Sequence, residues 1–198
     1  MLKQTQNVAE HLIEQTGEVL ESIGEGIKRT GKGFIAGAIG GLIASWVMNQ
    51  YQEIESHPVA ERRRLAAQPA SPQPPKPKKT PDDATVRTAQ AISTRLLHHE
   101  LSDCEKRVAG PAIHYIYGSL AGGLYGAVAE LWRPISSGLG VPYATAMWLF
   151  GDEVAVPALG LSKSAIETPP AQHATALASH FVYGISLDVA RRIARHLV

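Results

Sequence analysis

The sequence predicts an all-α membrane protein: a bundle of about four transmembrane helices with an N-terminal amphipathic helix and a proline-rich loop. Three observations predict it. The charges are clustered, leaving four charge-free windows at 33–52, 108–129, 134–151 and 168–187. About 20 helical residues, at roughly 1.5 Å each, cover the roughly 30 Å hydrocarbon core of a bilayer. Two of the windows carry a doubled GxxxG: Gly33, Gly37 and Gly41 in the first, Gly118, Gly122 and Gly126 in the second. Interior glycine costs a soluble helix about 1 kcal/mol against alanine. A four-residue spacing of small residues instead suits close helix packing in lipid, where no hydrophobic effect drives association. Finally, Trp46, Tyr51 and Trp132 sit towards window ends, as an aromatic belt does.

Whole-chain averages hide this pattern. The 198 residues carry 19 Lys+Arg against 18 Asp+Glu, a formal net charge of +1. The mean hydropathy of −0.06 is that of an ordinary soluble domain, because it blends polar and apolar segments. Near-neutral charge excludes a strongly basic nucleic-acid binder. A single cysteine, Cys104, excludes an internal disulfide framework and any CxxC metal site.

The expected organisation is an amphipathic helix over 1–32, a first span over 33–52, a proline-rich basic linker over 53–81, a pre-membrane helix over 82–107 and a three-span region over 108–198. Its spans fall at about 108–130, 139–161 and 168–190. In 1–32, Val8, Leu12, Val19, Ile23 and Ile27 recur at helical spacing beside Glu10, Glu14, Glu18, Glu21 and Glu25. An acidic polar face argues against adhesion to anionic lipid and favours a protein partner. Seven prolines between 56 and 81, with QPASPQPPKPKKTP, predict an extended or disordered tether. Thr80 as a cap, Pro81 at the first helical position, and Asp82 and Asp83 in the first turn open a helix to about residue 100. Ser102 and Glu105 fit a capping box that opens the second span. Pro111 kinks that span or tightens its first turns. Lys and Arg counts on the two sides are too even to orient the chain.

The polar residues inside the windows are the candidate site. His114-Tyr-Ile-Tyr117-Gly118 and His180-Phe-Val-Tyr183-Gly184 repeat one HxxYG pattern in two spans. In each, His, Tyr and Gly share one helix face. Gly184 joins the packing glycines, and His173, seven residues before His180, lies on nearly the same face. Asp152 and Glu153 follow the third window. Either the helix ends at Gly151 and the acids are interfacial, or it runs from about Pro142 to Leu161 with both acids near mid-span. A mid-span acid costs about 2.5–3.5 kcal/mol and needs an internal partner. His114, His180, Tyr117 and Tyr183 are the available types. His98, His99 and Cys104 read as exposed helix residues, and Glu130 with Arg133 as an interfacial ion pair.

The runs AVAELWRP (127–134), LFGDEVAVPALGLS (149–162) and HFVYGISLDVARR (180–192) resemble the YagU-like family of uncharacterised bacterial inner-membrane proteins. The resemblance covers roughly 109–195, with the first span a looser match. It implies a multi-pass inner-membrane protein and carries no established activity. The N-terminal helix and the linker look like additions to the family pattern.

The favoured function is a membrane scaffold or accessory subunit of a larger complex, with no catalysis of its own. Its partners would be the lipid bilayer and a protein of that complex or a homo-oligomer. The alternative is ion or proton handling by Asp152, Glu153, His114 and His180. A further alternative places His114 and His180 as axial ligands of a b-type haem or at a metal. No resident cofactor or metal is predicted. GxSxG, HExxH, P-loop and GxGxxG patterns are all missing, so no enzyme is predicted.

Overall fold

A computed structural model describes residues 2–66 and 83–198, with side chains described at 11, 14–56 and 83–198. Every regular element among them is a helix. α1 is one unbroken helix, Leu2–Ala66. The boundary expected at 32/33 is therefore no structural break, and the first residues assigned to the linker, 53–66, are helical. The stretch QPASPQPPKPKKTP, with Thr80, Pro81 and Asp82, lies outside the described residues.

α2 is Ala84–Ile92, followed by a π-helical turn Ser93–Leu97. Asp83 is its N-cap, accepting from the Val86 amide at 2.9 Å, rather than a first-turn acid. The helix stops at 97, earlier than expected, where His98 adopts a left-handed conformation (φ 53°). α3 is Asp103–Leu131. It opens on the expected capping box: the Ser102 hydroxyl accepts from the Glu105 amide, and the Glu105 carboxylate accepts from the Ser102 amide at 2.8 Å. α3 runs through Pro111 without a break.

A 3-10 segment, Arg133–Gly140, reverses the chain through left-handed Gly138, Leu139 and Gly140. α4 begins as an α-helix over Val141–Met147, widens to a π-helix over Trp148–Ala155, and closes on the α-helical turn Val156–Ala158. It passes through Asp152 and Glu153 and ends at Ala158, so the helix does not terminate at Gly151. α5 is Pro170–Arg195.

α1, α3 and α5 form the core; α4 packs on α5, and α2 packs on α3. α1 and α3 run antiparallel along their glycines. A Cβ at Gly37 would fall on the Gly122 carbonyl oxygen, one at Gly41 on that of Gly118, and one at Gly126 on that of Gly33. The two doubled GxxxG motifs are thus each other's partner. Backbones touch because neither helix has a side chain there. On its next face α1 meets α5, where a Cβ at Gly40 would lie 3.0 Å from the Leu187 carbonyl oxygen.

The interior is mostly small or polar, with Met48 and Leu187 its larger aliphatic members, and much of the exterior is apolar. The buried set includes Ala36, Ala44, Ser45, Tyr125, Ser179, His180, Tyr183 and Asp188. Ile35, Ile39, Leu42, Ile43, Trp46, Leu120, Leu124, Phe150, Val154, Ile185 and Val189 all face outwards. One described helical stretch, Glu14–Ser56, is long and apolar enough to cross a membrane. α3 and α5 have spanning lengths of 29 and 26 residues, but Gly, Ala, Ser, His and Tyr dilute their apolar character.

Candidate functional site

The two HxxYG segments meet. The Tyr183 hydroxyl donates to the Gly118 carbonyl at 2.6 Å. This contact forms because Gly118 has no side chain: the Ser45 hydroxyl and the Tyr183 ring, 3.4 Å away, occupy the space a Cβ would take. The match is not symmetric. Gly184 packs instead on Ala144 and Gly140 of the α4 entrance, with a would-be Cβ 2.7 Å from each. Tyr117 is half-exposed, its hydroxyl beside Gly151.

The acids of α4 find their partners on α5. His180 Nε2 lies 3.6 Å from an Asp152 carboxylate oxygen, and His180 Nδ1 lies 2.9 Å from the Ala176 carbonyl. Glu153 pairs with His173 Nδ1 at 2.7 Å, while His173 Nε2 reaches the Ala165 carbonyl at 3.0 Å. The partner of Glu153 is therefore His173, outside the four residues expected to serve the acids. The π-helical stretch lets both consecutive acids address α5; such wide turns recur at functional positions. The Asp152 side chain is 44% exposed and that of His180 is 6% exposed, so the pair opens outwards from a buried base. His114 Nε2 and the Ser45 hydroxyl are buried with no hydrogen-bond partner.

A second polar cluster lies farther along α5, towards its C-terminus. Asp188, fully buried, accepts from the Tyr125 hydroxyl at 2.9 Å, from Arg191 at 3.0 Å and from Arg192 at 2.9 Å. Arg191 also lies 5.5 Å over the Tyr125 ring. Glu130 at the end of α3 takes Arg29 of α1 at 2.9 Å and Arg195 of α5 at 2.7 Å. This clasp replaces the expected Glu130–Arg133 pair: α3 ends at Leu131, so Arg133 is no longer one helical turn from Glu130, while Arg29 and Arg195 reach the carboxylate from facing helices. The Asp188–Arg191–Arg192 spacing of three and four was legible as a helical ion-pair pattern. The Tyr125 and Arg29 contacts had no local signal.

Between the clusters the hydroxyls end on backbone. Tyr143 donates to the Ala121 carbonyl at 2.7 Å, as Tyr183 does to Gly118. A helix carbonyl accepts a hydrogen bond but passes no proton onwards.

The residues do not fit a haem. Both ring nitrogens of His180 face other groups, and the HxxYG faces touch directly, leaving no slot for a macrocycle between them. Among the described residues no group of three or more His, Cys, Asp or Glu converges as metal ligands do. His99 bonds Glu105 at 3.1 Å, and Cys104 is exposed. The capping and His99 hydrogen bonds hold the Glu105 carboxyl down at about 2, with Ser102 the main cause.

A family model described as a protein of unknown function (DUF1440) matches residues 68–189. The chain belongs to this family. The YagU-like resemblance is consistent with it. The match begins well before residue 109 and takes in the proline-rich stretch, so that stretch is part of the family pattern rather than an addition. α1 lies ahead of the matched residues, while both HxxYG segments, the α4 acids and Asp188 lie inside them. No curated protein and no solved structure matches the chain.

Proposed function

We propose that this family member is a four-span protein of the bacterial inner membrane, serving as a scaffold or accessory subunit without catalysis of its own. The distribution of side chains carries the membrane reading. Water would drive the leucines, isoleucines and valines of α1, α3, α4 and α5 inwards, whereas here most of them, Leu187 excepted, face out around a core rich in glycine, alanine and polar groups. That arrangement suits hydrocarbon, where small residues and interhelical hydrogen bonds hold helices together.

The use of the polar groups supports the scaffold role. Tyr183, Tyr125, Asp188, Glu130 and Glu153 each tie one helix to another. The test is gentle purification from native membranes, with identification of what accompanies the chain. Stoichiometric co-purification of a defined complex is expected; isolation as a lone monomer would overturn the accessory role.

A second reading, proton or cation handling, draws on the Asp152–His180 pair and its outward opening. The tyrosine hydroxyls that end on carbonyls count against a continuous proton path. Proteoliposomes loaded with a pH-sensitive dye decide it. Flux abolished by Asp152→Asn, with the fold intact, would establish this reading over the scaffold.

A further inference from the structure

α1 and α5 run antiparallel, and the seam between them leaves an apolar groove of about 410 Å³ on the outside of the bundle. Its cause is a close approach. α1 touches the α5 backbone at Gly40, and the small Ala190 and Ala194 floor the seam. Ile39 and Ile43 of α1 wall one side, and Ile193 and Leu197 of α5 wall the other. All four wall residues are exposed.

Two lysines stand over one end of this groove. By helical register, Lys32 falls between Ile39 and Ile43 on the face of α1, and Lys28 lies about 20° to the side of Ile39. Gly40 meets α5 between Leu187 and Arg191. Lys32 and Leu197 both lie about 12 Å from that contact along their helices, in the same direction, so they stand at one height. Among the described residues neither lysine has an ion-pair partner, since the carboxylate of Glu130 is taken by Arg29 and Arg195. The first apolar window begins at Gly33, which puts Lys32 and Lys28 about 2 and 8 Å outside the hydrocarbon, among lipid headgroups. Glu25 and Glu21, whose charge opposes adhesion to anionic lipid, lie about 12 and 18 Å out, beyond that layer.

We propose that the α1–α5 groove holds an anionic phospholipid, with an acyl chain along the seam and its phosphate at Lys28 and Lys32. The proposal rests on the membrane reading above. An apolar slot that leads up to two uncompensated cations at headgroup depth repeats the polarity of such a lipid, and basic clusters at that depth attract anionic headgroups. A second copy docked symmetrically on this face would bring its own Lys28 and Lys32 against the first pair, and like charges in an interface are costly. A free anion would satisfy the lysines and leave the groove unfilled.

The test is native mass spectrometry of the full chain in detergent, with phosphatidylglycerol, phosphatidylethanolamine and glycerol phosphate as added probes. Phosphatidylglycerol should be retained in preference to phosphatidylethanolamine, and glycerol phosphate, a head without tails, should not be retained. Lys28→Gln with Lys32→Gln should cut the preference by about fivefold per lysine. Arg133→Gln with Lys163→Gln, which removes the same charge elsewhere, should leave it unchanged. Ala190→Leu, which fills the groove, should lower retention of phosphatidylglycerol. Circular dichroism reads the fold of each variant, and the exposed or half-buried lysines carry the test alone if Ala190→Leu does not fold. Equal retention of the two lipids, a preference indifferent to the lysines, or an equal loss in the Arg133 and Lys163 variant would each overturn the site. So would retention unchanged in a folded Ala190→Leu, glycerol phosphate bound as well as the lipid, or a second protein chain in place of lipid. Carbonate washing of native membranes reads the membrane assignment separately. A chain that washes off sinks that assignment, whereas a retained chain without lipid preference sinks the lipid site alone.

Discussion

The hydroxyl of Tyr183 is bonded to the carbonyl of Gly118, so the tyrosine of one HxxYG segment ends on the glycine of the other. Interhelical hydrogen bonds in membrane bundles average about 0.6 kcal/mol and reach about 1.7. Tyr183→Phe should lower the unfolding free energy by an amount in that range, read by denaturant titration in detergent. Tyr117→Phe, at the half-exposed equivalent position, should change it by less than about 0.5 kcal/mol. Equal effects would mean that the motif contact does not stabilise the bundle.

Asp188 should matter more than Asp152 for stability. It is fully buried and holds Tyr125, Arg191 and Arg192. Removing one partner of a buried ionic set leaves the other charge uncompensated, at about 3–5 kcal/mol. Asp188→Ala should therefore cost that much in thermal or denaturant unfolding. Asp152→Asn, on a half-exposed carboxylate, should cost under about 1 kcal/mol. The opposite ranking would remove Asp188 from the centre of the clasp.

The glycines of α1 should split into two classes. Gly37→Val places a side chain on the Gly122 carbonyl and should destabilise the α1–α3 pair by about 1–3 kcal/mol or more. Gly24 has nothing within 4 Å of a would-be Cβ. Gly24→Ala should stabilise the projecting helix by about 1 kcal/mol through helix propensity alone. Hydrogen exchange of α1 amides reads both.

The first turn of α3 should loosen in acid. The folded-state Glu105 carboxyl titrates at about 2, below its ordinary 4.5. Its contribution is therefore full above about pH 4.5 and is lost as pH falls from there towards 2. Amide exchange at residues 103–106, corrected for intrinsic rates, should accelerate over that window, and Ser102→Ala should flatten the dependence. A pH-independent first turn would contradict the capping box.

Local features are legible in the order of residues. Periodicity and charge-free length predicted helices, Ser102 and Glu105 specified the start of α3, and glycines every four residues marked the close-packing faces, because each rests on neighbours within one or two turns. Which faces meet is set by the packing of whole helices. The Gly37–Gly122 contact, the Tyr183–Gly118 bond, the exchange of Arg133 for Arg29 and Arg195 at Glu130, and the choice of His173 for Glu153 all join residues on different helices. Such pairings depend on helix register and crossing, which no local pattern encodes. The continuity of α1 through residue 32 belongs with them: composition changes there from charged to apolar, but an α-helix needs only its own backbone hydrogen bonds to carry on across the change.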